Sequence, residues 1–222
     1  DGIRDYKVTG VQTCALPIWP QPAPAPRAGD DDQGLAVIIP TLQEARRLPA
    51  LLADLAQAAG LVREIIVVDG GSSDATAQIA PLAGARLLRC APGRGGQLAH
   101  GVDATTSPWL LLLHADARLP PDWVACLRQA IRRDPQAAWA FRLAIAGRDP
   151  RLRWLEGAVQ LRCRWRQLPY GDQGLLLSRH LLNAAGGIAP LPLMEDLELV
   201  LRLRRLAPIR LLPLALRVDG RR

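Results

Sequence analysis

Residues Glu64–Leu82 read EIIVVDGGSSDATAQIAPL. Four apolar residues, Ile65–Val68, follow one another without a polar break, as a strand buried on both faces requires. Asp69 closes the run, glycines and serines make a turn, and Asp74–Leu82 has a helical pattern with Asp74 suited to an N-cap. Asp69 is either a strand-end turn residue or a ligand-facing carboxylate. The second reading is favoured because an isolated carboxylate at the end of so apolar a strand is costly unless capped, paired or metal-bound.

The same strand–turn–helix unit recurs on either side. LAVIIP (35–40), ARLLRC (85–90) and WLLLLH (109–114) predict further buried strands, and 48–59, 95–104 and 122–133 predict helices between or after them. Strand alternating with helix implies an α/β fold with a mostly parallel central sheet flanked by helices. Beyond Gln136 the order loosens: 137–147 and 174–178 read as strands, and 151–166 and 194–206 as helices.

The chain has 222 residues, 49% of them hydrophobic, and a net charge of +7. It is long enough for a sizeable core and too apolar for a disordered chain. Lys7 is the only lysine. Arginine suits bidentate recognition of phosphates, on a nucleotide, a nucleic acid or a membrane surface. Dispersed arginines and 4% aromatics disfavour a nucleic-acid binder. Cys14, Cys90, Cys126 and Cys163 form no paired motif, which argues against zinc or a disulfide framework and fits a cytoplasmic protein. No apolar run approaches the roughly 20 residues of a membrane span. The late segment LAPIRLLPLALRV (206–218) is broken by prolines and arginines, so at most peripheral membrane contact is expected.

Residues 1–18 have no period, caps or signal-peptide pattern. They resemble the conceptual translation of a short-read sequencing adapter and are expected to be an assembly artefact. Residues 19–34 are proline-rich and read as a linker, leaving 35–222 as one domain.

Ligands of parallel α/β sheets bind beyond the carboxyl ends of the strands. Here those ends carry PTLQEA (40–45), DGGSSDAT (69–76), APGRGGQLAHG (91–101) and HAD (114–116). Thr41 and Glu44 match a capping box as well as a ligand contact. Arg94 among glycines makes a phosphate-approach loop. Neither a G-x-G-x-x-G after the first strand nor a P-loop occurs, which disfavours dehydrogenases and P-loop enzymes.

VIIPTLQEA, EIIVVDGGSSDAT, GRGGQLAHG, LLLHADARLP, YGDQGLLLS and PLMEDLELVLRLRRLA, in that order, resemble family-two glycosyltransferases of the GT-A (nucleotide-diphospho-sugar transferase) fold. The resemblance covers residues 35 to about 218 and is nearest to the short radical-SAM-associated subgroup linked to arsenosugar biosynthesis. It implies a hexosyltransferase-like, inverting enzyme that uses a nucleotide-sugar donor, a small-molecule or lipid-linked acceptor and a divalent metal, Mg²⁺ or Mn²⁺. Pro40, Thr41, Glu44 and Asp69 are then expected to line the nucleotide pocket, with Arg94 close to the donor and Gln173, in GDQG, by the sugar. HAD replaces the more usual D-x-D, so Asp116 is the retained metal carboxylate and His114 its departing partner. Asp196 is expected as general base, with Glu195 beside it. Arg202, Arg204 and Arg205 either hold the diphosphate or form a solvated helix face. Relatives continue past the final strand into a helical tail, which makes a C-terminally truncated chain the expectation. The alternatives are a sugar-nucleotide-binding module that has lost chemistry, prompted by the missing first aspartate, and a nucleotidyltransferase, whose glycine-rich, lysine-bearing loop PTLQEA does not supply.

Overall fold

The structure, a computed structural model, describes residues 34–219 apart from 59, 148 and 192. The adapter-like segment, Cys14 and all of the 19–34 linker except Gly34 lie outside the described residues.

Strands β1 (Leu35–Thr41), β2 (Val62–Asp69), β3 (Arg86–Arg89) and β4 (Trp109–Leu112) alternate with helices α1 (Leu48–Leu55), α2 (Thr76–Leu82), α3 (Arg94–Asp103) and α4 (Trp123–Arg133). There follow β5 (Ala138–Ala146), α5 (Pro150–Arg166), β6 (Leu175–Ser178), α6 (Arg179–Ala184), α7 (Glu195–Leu203) and β7 (Ile209–Asp219). They build one seven-stranded sheet in the order β3-β2-β1-β4-β6-β5-β7. All neighbours pair in parallel except β6, which is antiparallel to both β4 and β5.

The apolar runs are buried on both faces, as their continuity requires. Along β1, Leu35, Val37 and Ile39 point into one cluster with α1 and α4 residues such as Leu48, Leu52, Trp123 and Leu127. Ala36 and Ile38 point into a second cluster with Leu98 and Val102 of α3 and Leu199, Val200 and Leu203 of α7. The period of two along a strand thus feeds two cores, giving three layers, helix on sheet on helix. Gly101 lets α3 lie close to the sheet: a Cβ there would meet Ile38 Cγ2 at 2.5 Å and Val68 Cγ2 at 2.9 Å.

One expectation changes. Helix α1 ends at Leu55, short of the predicted Ala59. The late apolar segment, for which the sequence predicts no element, supplies most of β7 (Ile209–Asp219), paired along β5, and Leu212 and Leu216 join the main core. Pro213 falls where the β5–β7 register shifts between Ala140 and Arg142, a position at which its missing N–H breaks no ladder bond.

Candidate active site

The antiparallel course of β6 assembles the site. Because Leu112 of β4 pairs with Leu175 of β6, the end of β4 and the start of β6 share one sheet edge. His114–Asp116, which follow β4, therefore lie beside Gly171–Gly174, which precede β6. Thr41 and Asp69 pair at the ends of β1 and β2, on the same edge.

The Asp69 carboxylate, 1% exposed, accepts from Gly71 N at 3.2 Å, Ser72 N at 3.0 Å and the Ser72 hydroxyl. It holds its own turn, as the turn reading expects, at the carboxyl end of β2. Asp74 Oδ1 accepts from the Thr76 N–H and hydroxyl and Oδ2 from Ala45 N. The Thr76 hydroxyl bond holds the Asp74 carboxyl below its ordinary pKa. The Thr41–Glu44 capping box is not formed. The Thr41 hydroxyl donates to Val68 O at 3.4 Å, Glu44 N donates to the Thr76 hydroxyl, and α1 begins only at Leu48. Glu44 instead pairs with Arg47 at 3.2 Å. Pro40 is half-buried in β1 opposite Val68.

Gln97, which the motif reading passed over, ties these loops together. Its Nε2 donates to Thr41 O at 2.8 Å and Val68 O at 2.7 Å, and its Oε1 accepts from Gly93 N. Gly93 has φ 145°, a backbone state that favours glycine, and it delivers Arg94 to the first turn of α3. Arg94 Nε then meets Glu195 Oε1 at 3.4 Å. Glu195 is 1% exposed and accepts no hydrogen bond within the described structure beyond this contact. Burial pushes its carboxyl pKa up, and its own backbone N–H and then Arg94 only partly offset that.

Asp196, next in α7, faces the GDQG loop: Gly171 N donates to Asp196 Oδ2 at 2.6 Å. A Cβ on residue 171 would stand 2.9 Å from His114 Nε2 and 3.0 Å from Asp196 Oδ2. Imidazole and carboxylate thus both lie within about 3 Å of one point, and only glycine leaves that point open. With Tyr170, Glu195 and apolar Leu98, Leu113 and Leu199, these groups line a small cleft.

Gln173, expected by the sugar, is fully buried under this loop. It donates to Phe141 O at 2.9 Å and accepts from Tyr170 N and Cys163 Sγ, so it shapes the cleft from below and does not face it. Asp172 was not singled out in the sequence. Burial, then the charges of Asp196 and Asp116, push its carboxyl pKa up, and Arg162 counteracts them. The motif showed Asp172 only as one letter of GDQG; no local pattern announces a carboxylate brought near two others by distant elements. Arg202 is spent on Glu198 and on the carbonyls of Ala185 and Gly187, and Arg204 donates to Arg166 O. Arg202 lies seven residues, roughly 10 Å, along α7 from its cleft end.

Among the described residues no three His, Cys, Asp or Glu side chains form a metal cage. Asp116, 8% exposed, acts electrostatically on Arg47 and Asp172. A single hard carboxylate at this edge fits a divalent cation whose shell is completed by diphosphate oxygens and water. His114 Nε2 is set toward Gly171 and Asp196.

The sheet and its flanking helices match GT-A glycosyltransferase structures. Glucosyl-3-phosphoglycerate synthase from Mycobacterium tuberculosis, solved with Mn²⁺, UDP and phosphoglyceric acid, aligns with TM-score 0.62 and 24% identity over 84% of this chain and 69% of that one. A TarS structure from S. aureus aligns with TM-score 0.70 and 17% identity over 83% and 60%. In sequence, a PGL/p-HBAD biosynthesis glycosyltransferase of Mycobacterium bovis is 41% identical over 91 residues, 38% of this chain and 36% of the relative. A 4,4'-diaponeurosporenoate glycosyltransferase of Staphylococcus haemolyticus is 36% identical over 101 residues, 42% and 27%. The chain therefore aligns with about a third of the length of these curated relatives. The model of glycosyl transferase family 2 matches residues 36–191, most of the sheet and every cleft element up to the approach to α7, and the chain belongs to that family.

Proposed function

We propose that the protein transfers a sugar from a nucleotide-diphosphate donor to an acceptor hydroxyl with inversion at the anomeric carbon. The observation that carries this reading is the Asp196 carboxylate, which lines the cleft and is fixed there by the Gly171 N–H at 2.6 Å. Asp196 accepts the acceptor's proton as its oxygen bonds to the anomeric carbon, and the nucleoside diphosphate leaves with the electron pair of the broken bond. His114, beside the same point, orients the acceptor hydroxyl. Pro40, Thr41, Glu44 and Asp69 frame the nucleotide, and Arg94 stands at the phosphate side with Glu195 holding it. A divalent metal, Mg²⁺ or Mn²⁺, held by Asp116 together with the donor, would stabilise the charge developing on the diphosphate. UDP bound with Mn²⁺ or Mg²⁺ in glucosyl-3-phosphoglycerate synthase supports a UDP-sugar as the first donor to try.

The motif order supports placement in the short radical-SAM-associated, arsenosugar-linked subgroup. The unpaired thiols of Cys90, Cys126 and Cys163 support a reducing, cytoplasmic setting. The test is incubation with a panel of nucleotide sugars and either metal, reading nucleoside diphosphate release and donor binding together. Turnover that disappears in Asp196→Asn supports the proposal. Donor binding without turnover in the wild type assigns a binding module instead, and failure to bind any donor removes both.

A further inference from the structure

Helix α5 carries a face that the core does not use. Glu156, Val159 and Cys163 are buried, Val159 and Cys163 packing against Leu143 and Val218 of β5 and β7. On the opposite side Trp154, Ala158, Leu161 and Trp165 follow at intervals of four, three and four residues, which places them on one stripe of the helix. Trp154 is 83% exposed and Trp165 80%. Arg153 and Arg164 border the stripe on one flank and Arg151 on the other, all exposed. The helix holds five arginines and one acid, Glu156, which is buried and paired with Arg153 at 2.9 Å. Gly157 and Ala158 leave an apolar groove between Arg153, Trp154 and Leu161.

We propose that this face of α5 docks the protein on an anionic membrane surface. Tryptophan side chains settle at the headgroup–acyl boundary, while flanking arginines keep their charge among anionic headgroups with their stems along the apolar stripe. A second copy is a poorer occupant, because a twofold pairing of the stripe sets the same arginine rows against each other. A nucleic acid would satisfy the arginines and leave Ala158 and Leu161 without a partner. Arg162 of the same helix lies 3.6 Å over the Tyr170 ring, and Tyr170 lines the cleft. Docking therefore brings the Tyr170 side of the cleft to the headgroups, where a lipid-borne acceptor would enter. That last step rests on the transfer reading; the docking does not.

The test is co-sedimentation of the full chain with vesicles of phosphatidylcholine alone and with added phosphatidylglycerol, at low and high salt, with tryptophan emission followed in parallel. Binding to the anionic vesicles, weakened by salt and accompanied by a blue shift, is expected. Trp154→Ala/Trp165→Ala should bind at least tenfold more weakly with an unchanged melting temperature, and Arg153→Gln/Arg164→Gln should lose most of the salt dependence. Equal vesicle binding by the wild type and the tryptophan variant, or no binding at low salt, overturns the proposal. So does a dimer, or oligonucleotide binding, that the tryptophan pair abolishes while vesicles are ignored. Wild-type Trp154 and Trp165 already shielded from iodide without vesicles would assign the face to the chain's own remaining segments.

Discussion

The Gly171 N–H donates to Asp196 Oδ2 at 2.6 Å, so a loop preceding β6 and the first turn of α7 are locked together at the cleft. This bond aims the carboxylate that we assign as general base. Gly171→Ala keeps the N–H but places a methyl 2.9 Å from His114 Nε2 and 3.0 Å from Asp196 Oδ2. Overpacking of this kind costs about 1–3 kcal/mol. The variant should fold with a lowered melting temperature and lose transfer at least about tenfold through kcat, since misplacement by about 1 Å at a reacting centre is costly. Unchanged kcat would show that the loop does not aim Asp196.

Asp196→Asn removes the proton acceptor with little change of shape. Loss of about 100- to 10,000-fold in kcat is expected for a general base, with donor affinity retained. A rise in KM with kcat unchanged would give Asp196 a binding role instead.

The Arg94–Glu195 pair makes a prediction about pH. Burial raises the Glu195 pKa above the ordinary carboxylate range, and Arg94 moderates this. The folded state then binds more protons than the unfolded chain, so this group's contribution to stability falls as pH rises from about 4 through the folded value. Glu195→Gln removes that slope: its melting temperature should gain on the wild type as pH rises from 4 to 8. Parallel curves for the two proteins would mean that Glu195 does not titrate differently on folding.

Gln97 bridges β1, β2 and the Gly93 loop through Thr41 O and Val68 O. Gln97→Ala strips buried carbonyls of a donor, at about 1–3 kcal/mol, and should weaken donor binding as well as stability. Chemical denaturation and calorimetry read the two effects separately; a stability loss with unaltered donor affinity would confine Gln97 to the fold.

The strands were legible because their apolar runs are continuous, and β1–β4 stand within a few residues of where those runs predict. What the runs do not encode is direction. Nothing in LLLS announces that β6 is antiparallel, yet that reversal alone brings GDQG beside HAD. The prolines and arginines of 206–218 hid a strand in that apolar run, because a register shift opposite β5, which absorbs Pro213, leaves no mark in the sequence. The polar residues at strand ends were readable one by one, but their hydrogen-bond partners were not. Gln173 and Asp172 are neighbours in one motif, and burial separates their roles: one holds the loop from below, the other is brought near Asp116 and Asp196. Likewise Thr41 and Glu44 have capping-box spacing, but Thr76, 32 residues beyond Glu44, takes the Glu44 N–H.

We propose a division of labour in which Asp116 serves the donor and Asp196 the acceptor. It is tested most directly by calorimetric titration of UDP with Mn²⁺ or Mg²⁺ into the wild type, Asp116→Ala and Asp196→Asn. We predict metal-dependent UDP binding by the wild type and Asp196→Asn, and its loss in Asp116→Ala. Metal-dependent binding that survives in Asp116→Ala, or that disappears equally in both variants, would contradict that division.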